Sequence, residues 1–174
     1  MKSNGVVSAK QGSNKRTPYD HQKRAMENLD IIDETSSYST LVVLPTGGGK
    51  TYTASLWLLK HALNQHKKIL WIAHRQMLLD QAAESFQKYA YAETLPNIFS
   101  FTYRIVSGSA NHDRTIGITP KDSLLIASKD SIGRNMDALD KWLKGEKEVY
   151  LVIDDFVIIT LNQKNLIKSR AVVA

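Results

Sequence analysis

A glycine-rich turn in the first third of the chain could bind phosphate groups. It consists of Pro45, Thr46, Gly47, Gly48, Gly49, Lys50 and Thr51. Because glycine has no side chain, the backbone can curl so that successive N–H groups point at phosphate oxygens. Lys50 would then reach the β- and γ-phosphates, and the Thr51 hydroxyl would hold a magnesium ion. The turn therefore predicts binding of ATP with Mg²⁺, with a glycine-rich turn that has no ligand as the alternative.

Two adjacent carboxylates follow an apolar run near the end of the chain. The run Val-Tyr-Leu-Val-Ile at 149–153 leads directly into Asp154 and Asp155. A phosphate-binding loop needs a carboxylate on a neighbouring strand to hold the metal, usually through the metal's water shell. The sequence assigns this role to Asp154, together with the Thr51 hydroxyl. Alone, the acidic pair would indicate a polar turn at a strand end, and the glycine-rich turn is what favours the metal site.

The glycine-rich turn resembles the Walker A loop (P-loop) of superfamily 2 helicases. Its string PTGGGKT is preceded by Leu44, where the common form of the loop has a further glycine. In these helicases an Asp-Glu pair follows the magnesium strand, and the glutamate positions or deprotonates the attacking water. The resemblance therefore implies catalytic roles for Lys50, Asp154 and Asp155. Asp155 is one methylene shorter than glutamate, and such misplacement of a catalytic group can cost about a hundredfold in rate.

Residues 16–25 resemble the adenine-binding Q-type motif that precedes the Walker A loop in this superfamily. The resemblance implies that Gln22 hydrogen-bonds the adenine edge and that Tyr19 or Arg16 packs near the ring. From the sequence alone, Gln22 could equally be a solvated helix residue.

Three further segments resemble motifs Ia, Ib and Ic of the DEAD/DEAH helicases closest to type I and type III restriction subunits. They are AHRQMLLDQ at 73–81, VSG at 106–108 and SKDSI at 128–132. In the family these segments hold the nucleic-acid backbone. The resemblance implies nucleic-acid binding by His74, Arg75, Gln81, Gly108, Ser128 and Lys129. The third segment departs from the family pattern at Ser128 and Asp130, and a plain surface charge is the alternative for Arg75.

Alternating strands and helices must position these residues. We expect helices over 18–32, 50–64, 75–89 and 131–143, and strands over 40–44, 68–73, 103–106, 124–127 and 149–153. The strands are continuous apolar runs, which is typical of a sheet covered on both faces. The pattern predicts a three-layer α/β fold with a mostly parallel central sheet, and the resemblance makes that fold RecA-like. The tryptophans fall within these elements, so core packing explains them better than base stacking.

Polar residues follow several of the predicted strands. They are Thr46, His74, Ser107, Ser128 and Asp154. In an open parallel sheet, ligands bind beyond the carboxyl ends of the strands. We therefore expect these residues to line one edge of the sheet.

The composition fits one domain of basic character. The chain has 174 residues, 43% of them hydrophobic, and a formal net charge of +6. This charge favours polyanionic partners only weakly. The absence of cysteine excludes disulfides and cysteine-ligated zinc, and the histidines form no helical pair with an acidic ligand. Since the sequence has neither a membrane-spanning apolar run nor an apolar signal core, a cytoplasmic location is expected by default.

The chain divides into three expected parts. A flexible basic arm covers residues 1–15, an ATP-binding domain covers 16–155, and an atypical tail covers 156–174. In the family a second motor domain follows and supplies arginine fingers. Three explanations for the missing second domain stay open: a naturally short homologue, an excised fragment, or a reading frame that shifts within the Asp-Glu motif.

The resemblance implies the ATP-binding motor domain of a superfamily 2 DNA helicase or translocase. Its partner is expected to be nucleic acid, DNA rather than RNA, and not a membrane. Hydrolysis and unwinding by the isolated chain should be weak. Two alternatives stay open, namely another P-loop ATPase, such as a loader-type ATPase or a small kinase, and a non-catalytic remnant that acts as a binding module.

Overall fold

The middle of the sheet consists of four parallel strands. A computed structural model describes residues 1–153 and 157–162, and within them seven strands form one sheet in the order β1-β4-β5-β3-β6-β7-β2. The strands are β1 (Asn4–Ser8), β2 (Ser39–Leu41), β3 (Lys68–Ala73), β4 (Ser100–Val106), β5 (Leu124–Ser128), β6 (Glu148–Ile153) and β7 (Val157–Asn162). Strands β4, β5, β3 and β6 run parallel, and β1, β7 and β2 are added antiparallel.

Helices cover both faces of this sheet. They are α1 (Asp20–Asp33), α2 (Lys50–His61), α3 (Gln76–Tyr89), α4 (Lys129–Gly133) and α5 (Met136–Leu143), with 3₁₀ turns at Leu63–Gln65 and Thr115–Gly117. Every residue of β3 is buried, and its side chains alternate between two cores. Ile69 and Trp71 belong to the core that contains residues of α1, α2 and α3, whereas Leu70 and Ile72 belong to the core that contains residues of α4 and α5. The prediction of a three-layer, mostly parallel RecA-like α/β fold is confirmed.

The three tryptophans lie inside these cores. Trp57 is 2% exposed, and Trp71 and Trp142 are completely buried. Their rings contact other core side chains, as Trp71 does with Phe86 at a centroid distance of 5.6 Å. The prediction of core packing is confirmed, and none of the three rings is accessible for stacking on a base.

The strand expected over residues 40–44 differs from the prediction. β2 has only three residues, lies at an edge of the sheet and pairs with β7. Leu41 and Val43 are 62% and 76% exposed, whereas Val42 and Leu44 are buried. The prediction of a fully buried strand over residues 40–44 is therefore wrong. The physical reason is that β7 pairs along the whole of β6 and separates β2 from the central strands.

The expectation of a flexible arm is wrong for residues 4–8. These residues form β1, which pairs in antiparallel register with β4 along its whole length. Val7 is buried, while Val6 is 65% exposed on the other face of the strand. Backbone hydrogen bonds continue the attachment, since the Lys10 N–H donates to the Ala90 carbonyl at 2.9 Å.

The helix expected over residues 131–143 is two helices instead. α4 begins earlier, at Lys129, with Ser128 as its N-cap residue, and it ends at Gly133. Asn135 adopts a non-helical conformation (φ −137°, ψ 55°) and precedes α5. Because the chain turns here, Arg134 lies between the two helices and is exposed.

Among the described residues, no helix is long and apolar enough to cross a membrane.

Candidate nucleotide and nucleic-acid sites

The glycine-rich turn is closed by its own backbone. The Gly48 N–H donates to the Pro45 carbonyl at 2.8 Å. Gly47 and Gly49 have φ values of 74° and 75°, which lie in the left-handed region that only glycine adopts without strain. α2 begins at the next residue, Lys50, so the turn lies at the positive end of a helix dipole. A turn of this kind can present N–H groups to an anion.

Hydrogen bonds of the Gln22 side chain link this turn to α1. Its side chain is 1% exposed, its Oε1 accepts from the Tyr19 N–H at 2.9 Å, and its Nε2 donates to the Gly48 carbonyl at 2.8 Å. His21 approaches the same carbonyl with its Nε2 at 3.1 Å. The alternative of a solvated helix residue is therefore wrong for Gln22. Contact with an adenine edge stays a prediction.

Arg16 and Tyr19 lie on different surfaces near the turn. The Arg16 guanidinium lies 4.0 Å from the centroid of the Tyr52 ring and donates to the Tyr89 hydroxyl at 2.8 Å. Burial raises the pKa of the Tyr52 hydroxyl, and the Arg16 charge opposes this rise. Tyr19 is 65% exposed and stacks on His21 with a centroid distance of 5.8 Å. Tyr19 therefore has exposed ring surface that a ligand could contact.

The predicted metal site cannot be assembled from the described residues alone. Thr51 lies in the first turn of α2 and is half-buried. Asp154 and Asp155 follow the end of β6 and lie outside the described residues. The metal role of Thr51 with Asp154, and the catalytic role of Asp155, therefore remain predictions.

A cleft of about 340 Å³ opens where β3, β4 and β5 end. Its lining residues are His74, Gln76, Ser107, Gly108, Arg114, Thr115, Ser128, Asp130, Ser131, Arg134 and Asn135. The expectation that polar residues after these strands share one edge is confirmed for His74, Ser107 and Ser128. Thr46 is not part of the cleft, because β2 lies at the far edge of the sheet.

The predicted nucleic-acid-binding residues divide into two groups around this cleft. His74, Gly108 and Ser128 line it. Arg75, Gln81 and Lys129 are exposed but do not line it. Arg75 directly precedes α3, whereas Gln81 lies further along the same helix.

Two arginines of the cleft were not predicted. Arg114 comes from the loop between β4 and β5, and Arg134 comes from the break between α4 and α5. Asp130 supplies the acidic charge of the lining, so the arginines outweigh it. Guanidinium groups suit phosphate oxygens because they offer several N–H donors in a plane. The sequence marks Arg134 only by its place shortly after the segment 128–132, and it does not distinguish Arg114 from any other cation in a polar loop.

A comparison with known families agrees with this geometry. Residues 15–156 match the family model described as "Type III restriction enzyme, res subunit". The chain belongs to this family. A comparison with curated proteins gave no significant match. The Res-family domain is an N-terminal motor domain of the superfamily 2 helicase type, and the family is typically ATP-dependent.

Membership in the Res family decides between some of the alternatives. It counts against a loader-type ATPase and against a small kinase. The match begins before α1 and ends after β6, so it includes the glycine-rich turn and the cleft. β1 precedes the match, and β7 follows it.

Proposed function

We propose that this Res-family domain binds Mg-ATP at the glycine-rich turn and the backbone of nucleic acid in the cleft. The main support is the closed turn at the start of α2, which the buried Gln22 side chain holds in place. A family of helicase-like ATP-binding motor domains supplies the second support. The resemblance of the cleft segments to DNA translocases favours DNA over RNA.

In the proposed nucleotide site, each residue has a separate task. The backbone N–H groups of residues 46–47 and 49–51 surround the phosphates, while the Gly48 N–H closes the turn on the Pro45 carbonyl. Lys50 neutralises the β- and γ-phosphates. The Thr51 hydroxyl and Asp154 hold the magnesium ion, which screens the phosphate charge. Tyr19 lies beside the adenine ring, and contact of Gln22 with the adenine edge requires its buried side chain to turn outward from the Tyr19 N–H. Arg16 supports this region through its contacts with Tyr52 of α2 and Tyr89 of α3.

Hydrolysis by the domain is expected to be slow. Asp155 takes the position of the family's glutamate, and its shorter side chain holds an attacking water less well. Motors of this class also receive an arginine finger from elsewhere, which is worth about a thousandfold or more. By itself the domain is therefore expected to bind the nucleotide more readily than it hydrolyses it.

Replacing Lys50 by alanine tests the nucleotide site. We expect Lys50→Ala to weaken binding of a fluorescent ATP analogue about ten- to hundredfold, since a charge-assisted hydrogen bond contributes about 1.5–3 kcal/mol. Lys60→Ala is the matched control, because it removes the same charge from the exposed end of the same helix. Equal affinities of Lys50→Ala and the wild type would contradict the proposed nucleotide site.

A salt titration tests the cleft. The Arg114→Gln/Arg134→Gln variant should bind a labelled DNA oligonucleotide more weakly, and its plot of log affinity against log salt should flatten by about one and a half units. Lys144→Gln/Lys147→Gln is the control, since it removes two exposed charges at the amino end of β6, whereas the cleft lies at the carboxyl ends of the strands. If both double variants behave alike, the cleft is not the binding surface. Repeating the titration with RNA of the same sequence tests the preference for DNA.

A further inference from the structure

Arg114 lies in the loop that follows β4 and lines the cleft. The two residues before it, His112 and Asp113, both contact distant parts of the fold. The loop follows β4 and returns along it, since the Asp113 N–H donates to the Ile105 carbonyl at 2.9 Å and the Ser107 N–H donates to the Asp113 carbonyl at 3.2 Å. Arg114 Nη1 lies 3.4 Å from the Gly108 carbonyl oxygen, which also belongs to the cleft. The side chains of His112 and Asp113, the two residues before Arg114, add further contacts that hold this loop.

The first residue of β1 and the residue before it hold the Asp113 carboxylate. Ser3 Oγ donates to Asp113 Oδ1 at 2.6 Å, and Asn4 Nδ2 donates to Asp113 Oδ2 at 2.7 Å. The Arg104 guanidinium of β4 donates to the same carboxylate and also to Asp122 at 2.8 Å. Burial alone would raise the pKa of Asp113, but the hydrogen bonds from Ser3, Asn4 and Arg104 hold this pKa below its usual value. The carboxylate is thus charged and fully engaged when β1 is in place.

α3 holds the neighbouring imidazole. His112 is 9% exposed, its Nδ1 lies 2.6 Å from Ser107 Oγ, and its Nε2 lies 3.0 Å from Asp80 Oδ1. Ser107 Oγ also accepts from the Ser109 N–H at 3.0 Å. These contacts fix one side of the loop to the helix that follows His74. The other side is held at Asp113 by Arg104 of β4 and by Ser3 and Asn4 of the N-terminal segment.

We propose that Ser3 and Asn4, which lie outside the family match, are positioning residues for nucleic-acid binding: through Asp113 they hold Arg114 in the cleft. The inference rests on the proposed function of the cleft. A side chain that is already oriented loses less conformational freedom when it binds, so affinity depends on the β1 contact although β1 does not touch the ligand. The N-terminal segment then contributes to the nucleic-acid affinity of this Res-family domain.

A double-mutant cycle separates positioning from a general loss of structure. Ser3→Ala/Asn4→Ala changes no charge, so the long-range electrostatic attraction to DNA is preserved. We expect it to weaken binding of a labelled DNA oligonucleotide about three- to tenfold, the cost of ordering about one side chain. In the Arg114→Gln background the same double substitution should have almost no further effect, because its target is gone. Affinity for the fluorescent ATP analogue should be unchanged in every variant.

The matched control is Ser8→Ala/Gln11→Ala. It removes a hydroxyl and an amide from exposed positions of the same N-terminal segment and should leave DNA affinity unchanged. The proposal is overturned if Ser3→Ala/Asn4→Ala binds DNA like the wild type, or if it weakens binding equally with and without Arg114.

Hydrogen exchange of the unliganded protein makes the two failures distinguishable. The amides of Ser107 and Asp113 should exchange faster in Ser3→Ala/Asn4→Ala than in the wild type and the control variant. The Ser107 amide bonds the Asp113 carbonyl and the Asp113 amide bonds the Ile105 carbonyl of β4, so both bonds depend on where Asp113 is held. If the wild type shows no salt-dependent DNA binding, the proposed function of the cleft fails while exchange still reports on the loop. Unchanged exchange of both amides would overturn the positioning role whatever the wild type binds.

Discussion

Gly48→Ala should abolish detectable ATP binding, with a loss of more than about a hundredfold if two phosphate contacts of the backbone are lost. A Cβ atom at this position would lie 2.8 Å from the Pro45 carbonyl oxygen and 3.1 Å from the Pro45 Cδ atom. Relief of this overlap must shift the Pro45 carbonyl, whose hydrogen bond with the Gly48 N–H closes the turn. It must also move the Gly48 carbonyl, which Gln22 and His21 both contact. One methyl group therefore disturbs the whole set of N–H groups.

Gly5→Ala provides the control for this effect. A Cβ at Gly5 would be in ordinary contact with the Tyr103 ring at 3.4 Å, and Gly5 lies on β1, at the sheet edge opposite β2. Titration with the fluorescent ATP analogue should show near wild-type affinity for Gly5→Ala and no saturation for Gly48→Ala. A melting temperature of Gly48→Ala close to that of the wild type would show that the loss is local. Retained ATP affinity in Gly48→Ala would mean that the turn does not cradle phosphate.

The parts of the fold that depend on local patterns could be predicted from the sequence. β3 is a run of apolar residues buried on both faces, and its expected bounds of 68–73 agree with the structure. The cleft residues His74, Ser107 and Ser128 were expected to meet because parallel strands end at a common edge. The glycine-rich turn could be predicted because its conformation depends on the glycines within it and not on distant residues.

Long-range pairing was beyond sequence reasoning. β1 is a short strand with a glycine and polar ends, and only its pairing with β4, about a hundred residues later, makes it a strand. Arg114 looked like any cation in a polar loop, since its position depends on contacts of Asp113 with Ser3 and Asn4. The edge position of β2 has the same origin, because β7 takes the place beside β6. In each case the deciding partner lies far away in the sequence.

Trp142→Ala should lower the free energy of unfolding by about 3–5 kcal/mol, which corresponds to a fall in melting temperature of about 6–20 °C for a domain of this size. Trp142 is completely buried in the core between the sheet and α5. Its Nε1–H donates to the Asp122 carbonyl at 2.7 Å, and Lys68 Nζ donates to the Trp142 carbonyl at 2.7 Å. The truncation therefore leaves a large cavity and an Asp122 carbonyl without its donor.

Trp142→Phe separates the two contributions to this loss. Phenylalanine keeps most of the apolar volume but has no N–H, so the variant should unfold at a temperature between those of the wild type and Trp142→Ala. Phe99→Ala is the control, because Phe99 is 93% exposed and its truncation should change stability by no more than about 0.5 kcal/mol. Thermal melting followed by far-ultraviolet circular dichroism checks all three variants. If Trp142→Ala and Phe99→Ala have the same melting temperature, the core that contains residues of α4 and α5 does not stabilise the sheet.

The position of Asp122 extends the effect of Trp142 to the cleft. The Asp122 backbone is held by Trp142, and its carboxylate binds the Arg104 guanidinium, which in turn binds Asp113. Trp142→Ala should therefore speed hydrogen exchange at Asp113 more than at residues of β3, at temperatures well below its own melting point. Trp142→Phe should show a smaller increase at Asp113, since it loses the same N–H but keeps α5 packed. A uniform increase across the sheet would mean that the core and the arginine-bearing loop are not linked through Asp122.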